Sequence, residues 1–117
     1  MKKPAQLRID EKVDGPERIL SLQGSADILA MPSVQSFLTR YARENVRLLL
    51  IDLSRTDFIN SPVWAVITLF ARKQQKECRV AIVGMSARIR GSFEMMGLQK
   101  ELPSFNDVET AREELLP

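Results

Sequence analysis

The stretch RLLLIDLSRTDFINSPVW, residues 47–64, decides the fold. Its residues 48–51 form a continuous apolar run between Arg47 and Asp52, which is typical of a strand that is covered on both faces. Residues 79–84, RVAIVG, repeat the pattern. Strands of this kind belong to parallel sheets, in which helices connect neighbouring strands. The sequence therefore predicts an α/β fold with parallel strands at the centre of the sheet.

An antiparallel hairpin is predicted ahead of this stretch. Apolar and polar residues alternate in two short runs, and residues 13–17 between them (VDGPE) are turn formers. The second run is predicted to end at Gly24. The apolar residues of the two runs are Leu7, Ile9, Ile19, Leu20 and Leu22.

Four helices complete the predicted order β-β-α-β-α-β-α-β-α. The first has Pro32 in its first turn and a face with helical spacing, made of Val34, Phe37, Leu38, Tyr41 and Ala42. The second is predicted from about Ser61 to Gln75, and the third from about Ser86 to Met96, closed by Gly97. A short edge strand within residues 102–105 precedes a capping box at residues 106–109, which opens the last helix.

The prediction is thus a mixed sheet of about five strands with about four helices. The chain has 117 residues, which is the size of one ordinary domain. We predict a single domain over residues 1–117, with its core in about residues 7–116.

Composition excludes most enzyme chemistry. The chain has no His, which removes the usual general base and the commonest metal ligand, and its one Cys cannot form an internal disulfide or a thiolate metal cage. No glycine-rich phosphate loop is present. We therefore expect no catalytic residue, no metal, no cofactor and no enzyme activity.

Charge and hydropathy point to a cytoplasmic protein with protein partners. The net charge of +2 does not favour nucleic-acid binding, although residues 40–90 carry ten positive and four negative side chains and residues 91–117 carry two and six. Lys2 and Lys3 lead into Pro4 rather than an apolar leader segment, and no apolar run is long enough to span a membrane. The lone Cys78 fits a reducing compartment and is expected to be buried.

The functional site is expected where the parallel strands end, because ligands of α/β folds bind at that edge of the sheet. Three loops should meet there, at residues 24–27, 57–62 and 84–88. Within the second loop, Ser61 has two compatible interpretations. It can cap the second helix, with its hydroxyl accepting from a first-turn amide, or it can be a phosphorylation site at the positive end of that helix.

Other residues have weaker alternatives. Asp10, Glu11 and Asp52 superficially suggest the acidic cluster of a phosphoacceptor receiver domain, but the first strand turns into a hairpin rather than a helix. Trp64 is expected in the core, with a partly exposed binding anchor as the alternative. The methionines predicted to fill the core are Met85, Met95 and Met96.

Several motifs together resemble the STAS family, which contains the anti-sigma factor antagonists. LQGSAD at residues 22–27 resembles the family's Gly-x-hydrophobic-Asp turn. LIDLS at residues 50–54 and DFINS at residues 57–61 resemble its signature strand and loop. VGMS at residues 83–86 and FEMMGL at residues 93–98 resemble its later strand end and the end of its following helix. The resemblance covers about residues 7–116.

The resemblance implies a regulatory function and a set of site residues. In the family, a kinase that is also an anti-sigma factor phosphorylates a serine in an Asp-Ser-Ser/Thr-Gly loop, and the unphosphorylated form binds that kinase. Ser61 matches the phosphoacceptor and Asn60 the Asp, while Pro62 and Val63 replace the last two loop residues. The alternative is a non-phosphorylated STAS adaptor or scaffold subunit in a signalling or transport complex. The expected partner-binding residues are Gly24, Ser25, Asp27, Asn60, Ser61, Pro62, Val63, Trp64, Ser86 and Arg88.

Overall fold

The computed structural model describes residues 7–116. It contains six strands and four helices within these residues, and so confirms the predicted mixed α/β fold. The strands are β1 (Arg8–Asp14), β2 (Glu17–Ala26), β3 (Leu48–Asp52), β4 (Thr56–Ile59), β5 (Arg79–Val83) and β6 (Ser104–Phe105). The helices are α1 (Met31–Arg43), α2 (Ser61–Gln74), α3 (Ala87–Met95) and α4 (Val108–Leu115).

The sheet has the order β1-β2-β3-β5-β6, with β4 paired to β2. β1 and β2 form the predicted antiparallel hairpin, and the pairs β2–β3, β3–β5 and β5–β6 are parallel. β3 is the central strand, and residues 48–51 are all buried. This burial confirms the inference that was drawn from their unbroken apolar run.

Helices cover both faces of the sheet, so alternate residues of each central strand enter different cores. Leu49, Ile51, Val80 and Ile82 belong to the larger core, which also holds the buried side chains of α1, α2 and α3. Leu48, Leu50, Ala81 and Val83 face the other way and pack with α4. The sheet is therefore packed on both faces, by a larger core and a smaller one.

β4 is the element that the sequence prediction missed. Residues 57–62 were predicted as a loop and β2 was predicted to end at Gly24, whereas β2 continues to Ala26. β2 pairs with β3 through residues 17–21 and with β4 from Gly24 onward, and the register of the β2–β4 ladder shifts between Gly24 and Ser25. The Thr56 hydroxyl donates to the carbonyl of Leu22 and anchors the start of β4 on β2.

The helix ends differ from prediction by a residue or two. Ser86 caps α3 from outside, accepting from the amide of Ile89 at 3.2 Å, and Gly97 ends that region at φ 73°, as predicted. The predicted capping box at residues 106–109 is displaced, because Asp107 is the N-cap of α4 and accepts from Thr110 N at 2.7 Å. That bond from Thr110 lowers the pKa of Asp107.

Three further sequence predictions concern Cys78, membrane-spanning segments and the first residues of the chain. Cys78 is buried as predicted, and burial raises the pKa of its thiol to about 11. None of the helices within residues 7–116 is long and apolar enough to cross a membrane. Residues 2–4, on which the expectation of no leader segment was based, lie outside the described residues.

Candidate functional site

Ser61 is the first residue of α2, and its side chain is exposed. The prediction that Ser61 caps this helix is wrong, because Asn60 occupies the N-cap position. The Asn60 side-chain oxygen accepts from Val63 N at 3.5 Å, and its backbone carbonyl accepts from Val63 N and Trp64 N, both at 3.1 Å. Since Asn60 provides the capping oxygen, the Ser61 hydroxyl is left available at the surface.

The end of β2 lies directly beside Ser61. Ala26 pairs with Ile59, and its carbonyl accepts from Asn60 N at 3.1 Å. Ser25 pairs with Phe58, one step earlier in the same ladder. The structure therefore brings the first two predicted loops, residues 24–27 and 57–62, into one continuous surface.

Asp27 and Gly24 shape this part of the chain. The Asp27 carboxylate accepts from Leu29 N at 2.9 Å and Ala30 N at 3.3 Å, and so caps the short 3-10 turn Ile28–Ala30 that leads into α1. Gly24 donates to the carbonyl of Arg55 at 3.0 Å, at the point where the register of β2 shifts. Both residues position the loop.

Val63 and Trp64 lie in the core beneath Ser61. They are 0% and 1% exposed, so their side chains support the start of α2 from below. The Trp64 ring packs against Phe93 of α3, with centroids 5.4 Å apart and planes tilted by 54°. This packing confirms the core interpretation of Trp64 and ties α2 to α3.

The end of α3 completes the surface on the other side of Ser61. The Ser61 hydroxyl lies 3.8 Å from the Met96 sulfur. Met95 is 89% exposed and Met96 is 42% exposed, so the prediction that they fill the core is wrong. Met96 continued the helical spacing of Ile89 and Phe93, but α3 ends before it, and the buried face ends with the helix. Met85 is half-buried against the larger core, as predicted.

The third predicted loop, residues 84–88, leads to the opposite end of α3 from Met96. Gly84 packs against the turn between β3 and β4, Ser86 caps α3, and Arg88 is exposed in its first turn. A nine-residue helix is about 13 Å long. The structure therefore places Ser86 and Arg88 about one helix length from the Met96 that contacts Ser61.

Exposed apolar side chains are concentrated around Ser61. Among the described residues, eight large hydrophobic side chains are exposed, and five of them belong to the segments that meet at this serine. We call residues 25–29, 58–62 and 95–96 the Ser61 surface. Its exposed apolar members are Ile28 (56%), Leu29 (81%), Phe58 (45%), Met95 (89%) and Met96 (42%). The sequence analysis did not predict that Ile28, Leu29 and Phe58 would be exposed. Their positions beside two polar loops could have indicated it.

The electrostatics and contacts of Ser61 follow from its position at the start of α2. The first turn of α2 contains no acidic residue, so the positive end of the helix dipole is not neutralised there. The hydroxyl of Ser61 has the Met96 sulfur as its side-chain contact, and a thioether is not a general base. An anion on Ser61 would therefore meet a favourable field.

The carboxylates of the receiver-domain alternative are separated by their contacts. Asp10 accepts from Gln23 at 2.7 Å, Asp52 accepts from Ser54 N at 2.9 Å, and Glu11 accepts from Tyr41 and Arg40. Within residues 7–116, no group of three His, Cys, Asp or Glu side chains is arranged to hold a metal ion. The receiver interpretation is therefore not supported by the geometry.

The fold and the Ser61 surface define a small α/β domain with an exposed serine at the carboxyl-terminal edge of a mixed sheet. The STAS domain family model matches residues 6–111, and the chain belongs to this family. No curated protein sequence was found to match the chain.

Solved structures of anti-sigma factor antagonists share the fold. One from Mycobacterium paratuberculosis superimposes with a TM-score of 0.88 at 19% identity, over 100% of each chain. A putative antagonist from Thermotoga maritima gives 0.84 at 14% identity, over 93% of this chain and 95% of the other. The antagonist SpoIIAA in its unphosphorylated form gives 0.71 at 14% identity, over 93% and 96%, and its phosphorylated form from Bacillus gives 0.68 at 15%, over 93% and 98%.

Proposed function

We propose that the protein is an anti-sigma factor antagonist whose Ser61 surface binds an anti-sigma factor that is also a serine kinase, and that phosphorylation of Ser61 breaks this contact. The observation that carries the proposal is the exposed Ser61 hydroxyl, which lies 3.8 Å from the Met96 sulfur and beside segments that carry exposed apolar side chains. Apolar patches of this kind mark protein interaction sites. The proposal gives the chain a regulatory role without catalysis, in the cytoplasm, where a kinase has access to ATP.

The position of Ser61 supports modification. Its neighbours do not bury it, and Asn60 rather than Ser61 caps α2, so a phosphate would not remove a capping bond. The phosphate would add a charge of about −1.5 to −2 beside the positive end of the helix. The folded state therefore tolerates the modification, and its effect falls on the complex.

The same charge would oppose binding. A partner that covers Leu29, Met95 and Met96 removes water from the surface around Ser61. A phosphate trapped in that contact without matching cations loses its hydration, and an acidic partner surface would repel it. Val63, one of the departures from the family loop, is compatible with this switch, because its branched side chain is buried and does not face the partner.

Affinity purification from native lysate tests the proposal. Tagged wild-type chain, with and without ATP, is compared with Ser61→Ala and Ser61→Asp, and phosphate is mapped by mass spectrometry. We expect a kinase partner that is retained by wild type and Ser61→Ala and lost by Ser61→Asp, with phosphate on Ser61 after ATP. Thr110→Asp is the matched control, because Thr110 is an exposed hydroxyl residue in the first turn of α4, on the other face of the sheet.

The adaptor function is the alternative outcome of this experiment. A partner set that does not change with Ser61→Asp, together with no phosphate on Ser61 under any condition, would overturn the switching proposal. A nucleotide-binding transporter subunit among those unchanged partners would favour a non-phosphorylated adaptor of a transport complex.

A further inference from the structure

α1 and α2 pack side by side, and a shallow cavity of about 230 Å³ lies between them on the outside of the larger core. We call it the α1–α2 groove. Its lining residues are Gln35, Leu38, Thr39, Ala42, Val66, Leu69, Phe70, Lys73 and Gln74. Ala42, which the helical spacing predicted to be buried, is exposed here, and Leu69 is 50% exposed. The packing of the two helices thus leaves apolar surface uncovered.

The size of the α1–α2 groove fits protein side chains better than a cofactor. Its volume of about 230 Å³ is below the roughly 300–1,000 Å³ of typical small-molecule pockets. A cavity of this size holds one or two large apolar side chains, which is how anchor residues engage a protein interface.

The charge around the groove selects the partner. Neither α1 nor α2 contains Asp or Glu, whereas Arg40, Arg43, Arg72 and Lys73 lie in their last turns. Arg40 pairs with Glu11 and Arg72 pairs with Glu101, but Arg43 and Lys73 have no carboxylate partner within residues 7–116. A second depression, which shares Gln35 and Thr39 with the groove, extends to Arg43. The two free cations therefore lie toward the carboxyl-terminal ends of α1 and α2, at one end of the apolar strip.

We propose that the α1–α2 groove binds an acidic amphipathic helix of a partner protein, with apolar side chains inserted beside Leu69 and carboxylates paired with Lys73 and Arg43. Helices of this kind place apolar anchors one turn apart in grooves between helices. Leu69 and Lys73 lie about 12 to 18 Å along α2 from Ser61, so this site is separate from the Ser61 surface.

Two other occupants fit less well. Anionic membranes are recognised by clusters of about four to eight basic residues, more than the two free cations at this groove. A second copy of the chain could offer its acidic α4, but the apolar residues Val108, Ala111 and Leu115 of that helix already pack on the sheet. That helix therefore has no apolar anchor to insert.

An NMR titration of the ¹⁵N-labelled chain tests the proposal with three probes. They are a synthetic helical peptide with Leu one turn apart and Glu elsewhere, the same peptide with Lys in place of Glu, and phosphatidylglycerol vesicles. We expect the acidic peptide to shift the amide signals of Thr39, Leu69 and Lys73, and to bind at least about tenfold more tightly than the Lys peptide. The shifts should leave Ser61 unaffected.

Matched variants locate the contact. Leu69→Glu should weaken binding of the acidic peptide at least about tenfold, and Lys73→Glu about three- to tenfold with a smaller salt dependence. Val13→Glu is the control, because Val13 is 60% exposed in the β1–β2 hairpin, and it should bind like wild type. Equal binding of both peptides, shifts only with vesicles, shifts confined to the Ser61 surface, or concentration-dependent self-association lost in Leu69→Glu would each overturn the proposal.

Discussion

Gly84 is tightly packed against the turn between β3 and β4. Its φ of 74° lies in the left-handed region, and a Cβ placed there would lie 2.9 Å from the Ser54 Cβ and 3.2 Å from the Asp52 side-chain oxygen. We predict that Gly84→Ala lowers the free energy of unfolding by about 3 kcal/mol, because it adds backbone strain and overpacking. Urea unfolding followed by circular dichroism measures this loss.

Gly91 supplies the control at the same scale. It lies within α3, is exposed, and a Cβ there would meet nothing within 4 Å. Gly91→Ala should therefore raise the free energy of unfolding by about 0.5 to 1 kcal/mol, through helix propensity alone. Equal effects of the two substitutions would show that Gly84 does not occupy the tight position described here.

At the scale of the element, the start of α2 depends on Asn60. Its side chain accepts from Val63 N, and the first turn carries no acidic residue. We predict that Asn60→Ala destabilises the protein by about 1 kcal/mol, whereas Asn60→Asp stabilises it by about 0.5 kcal/mol through the helix dipole. Thermal unfolding of the three proteins measures both effects.

Salt distinguishes the electrostatic effect of Asn60→Asp from the lost capping bond of Asn60→Ala. The gain from Asn60→Asp is electrostatic and should shrink in about 1 M NaCl, while the loss from Asn60→Ala should persist. A gain that is unchanged by salt would contradict the role assigned to the dipole.

The elements that the sequence predicted best are those with an unbroken pattern. Residues 48–51 and 80–83 are apolar without interruption, and both runs are buried in strands. β4 was missed because it is four residues long, contains Asp57, and depends on β2 for its pairing. Its pairing with the end of β2 is a tertiary feature that no local pattern records.

The site was predicted less completely than the fold, for related reasons. Motif positions pointed to Ser61, but helix spacing assigned Met96 to the core, and the helix-start signal before Pro62 assigned Ser61 to the cap. Both errors concern a helix end, where one residue of displacement exchanges a buried position for an exposed one. The burial of Val63 likewise depends on how α2 packs on the sheet, which the loop motif does not specify.

At the scale of the whole molecule, a polar cluster joins the β1–β2 hairpin to α1. Glu11 accepts from the Tyr41 hydroxyl and from Arg40, and the Arg18 guanidinium lies 5.9 Å from the Tyr41 ring centre. Burial raises the pKa of Tyr41, and the bond to Glu11 raises it further. Burial alone would raise the pKa of Glu11, but the bonds from Tyr41 and Arg40 outweigh it and lower that pKa.

These pKa shifts predict that the free energy of unfolding changes with pH on both sides of neutrality. The raised pKa of Tyr41 contributes stability that is present below pH about 10 and is lost as pH rises further. The lowered pKa of Glu11 contributes stability that is present above pH about 4 and is lost as pH falls. Urea unfolding against pH should show both losses in wild type. Tyr41→Phe should show a smaller alkaline loss, and an unchanged alkaline limb in Tyr41→Phe would contradict this assignment.

The central claim for the whole molecule is that phosphate on Ser61 releases the protein that the Ser61 surface binds. The most direct measurement is isothermal titration calorimetry of the partner recovered by affinity purification, using chain with phosphoserine incorporated at position 61 and unmodified chain. We predict that phosphoserine raises the Kd at least about tenfold, equivalent to about 1.4 kcal/mol. Equal Kd values for the two forms would contradict it.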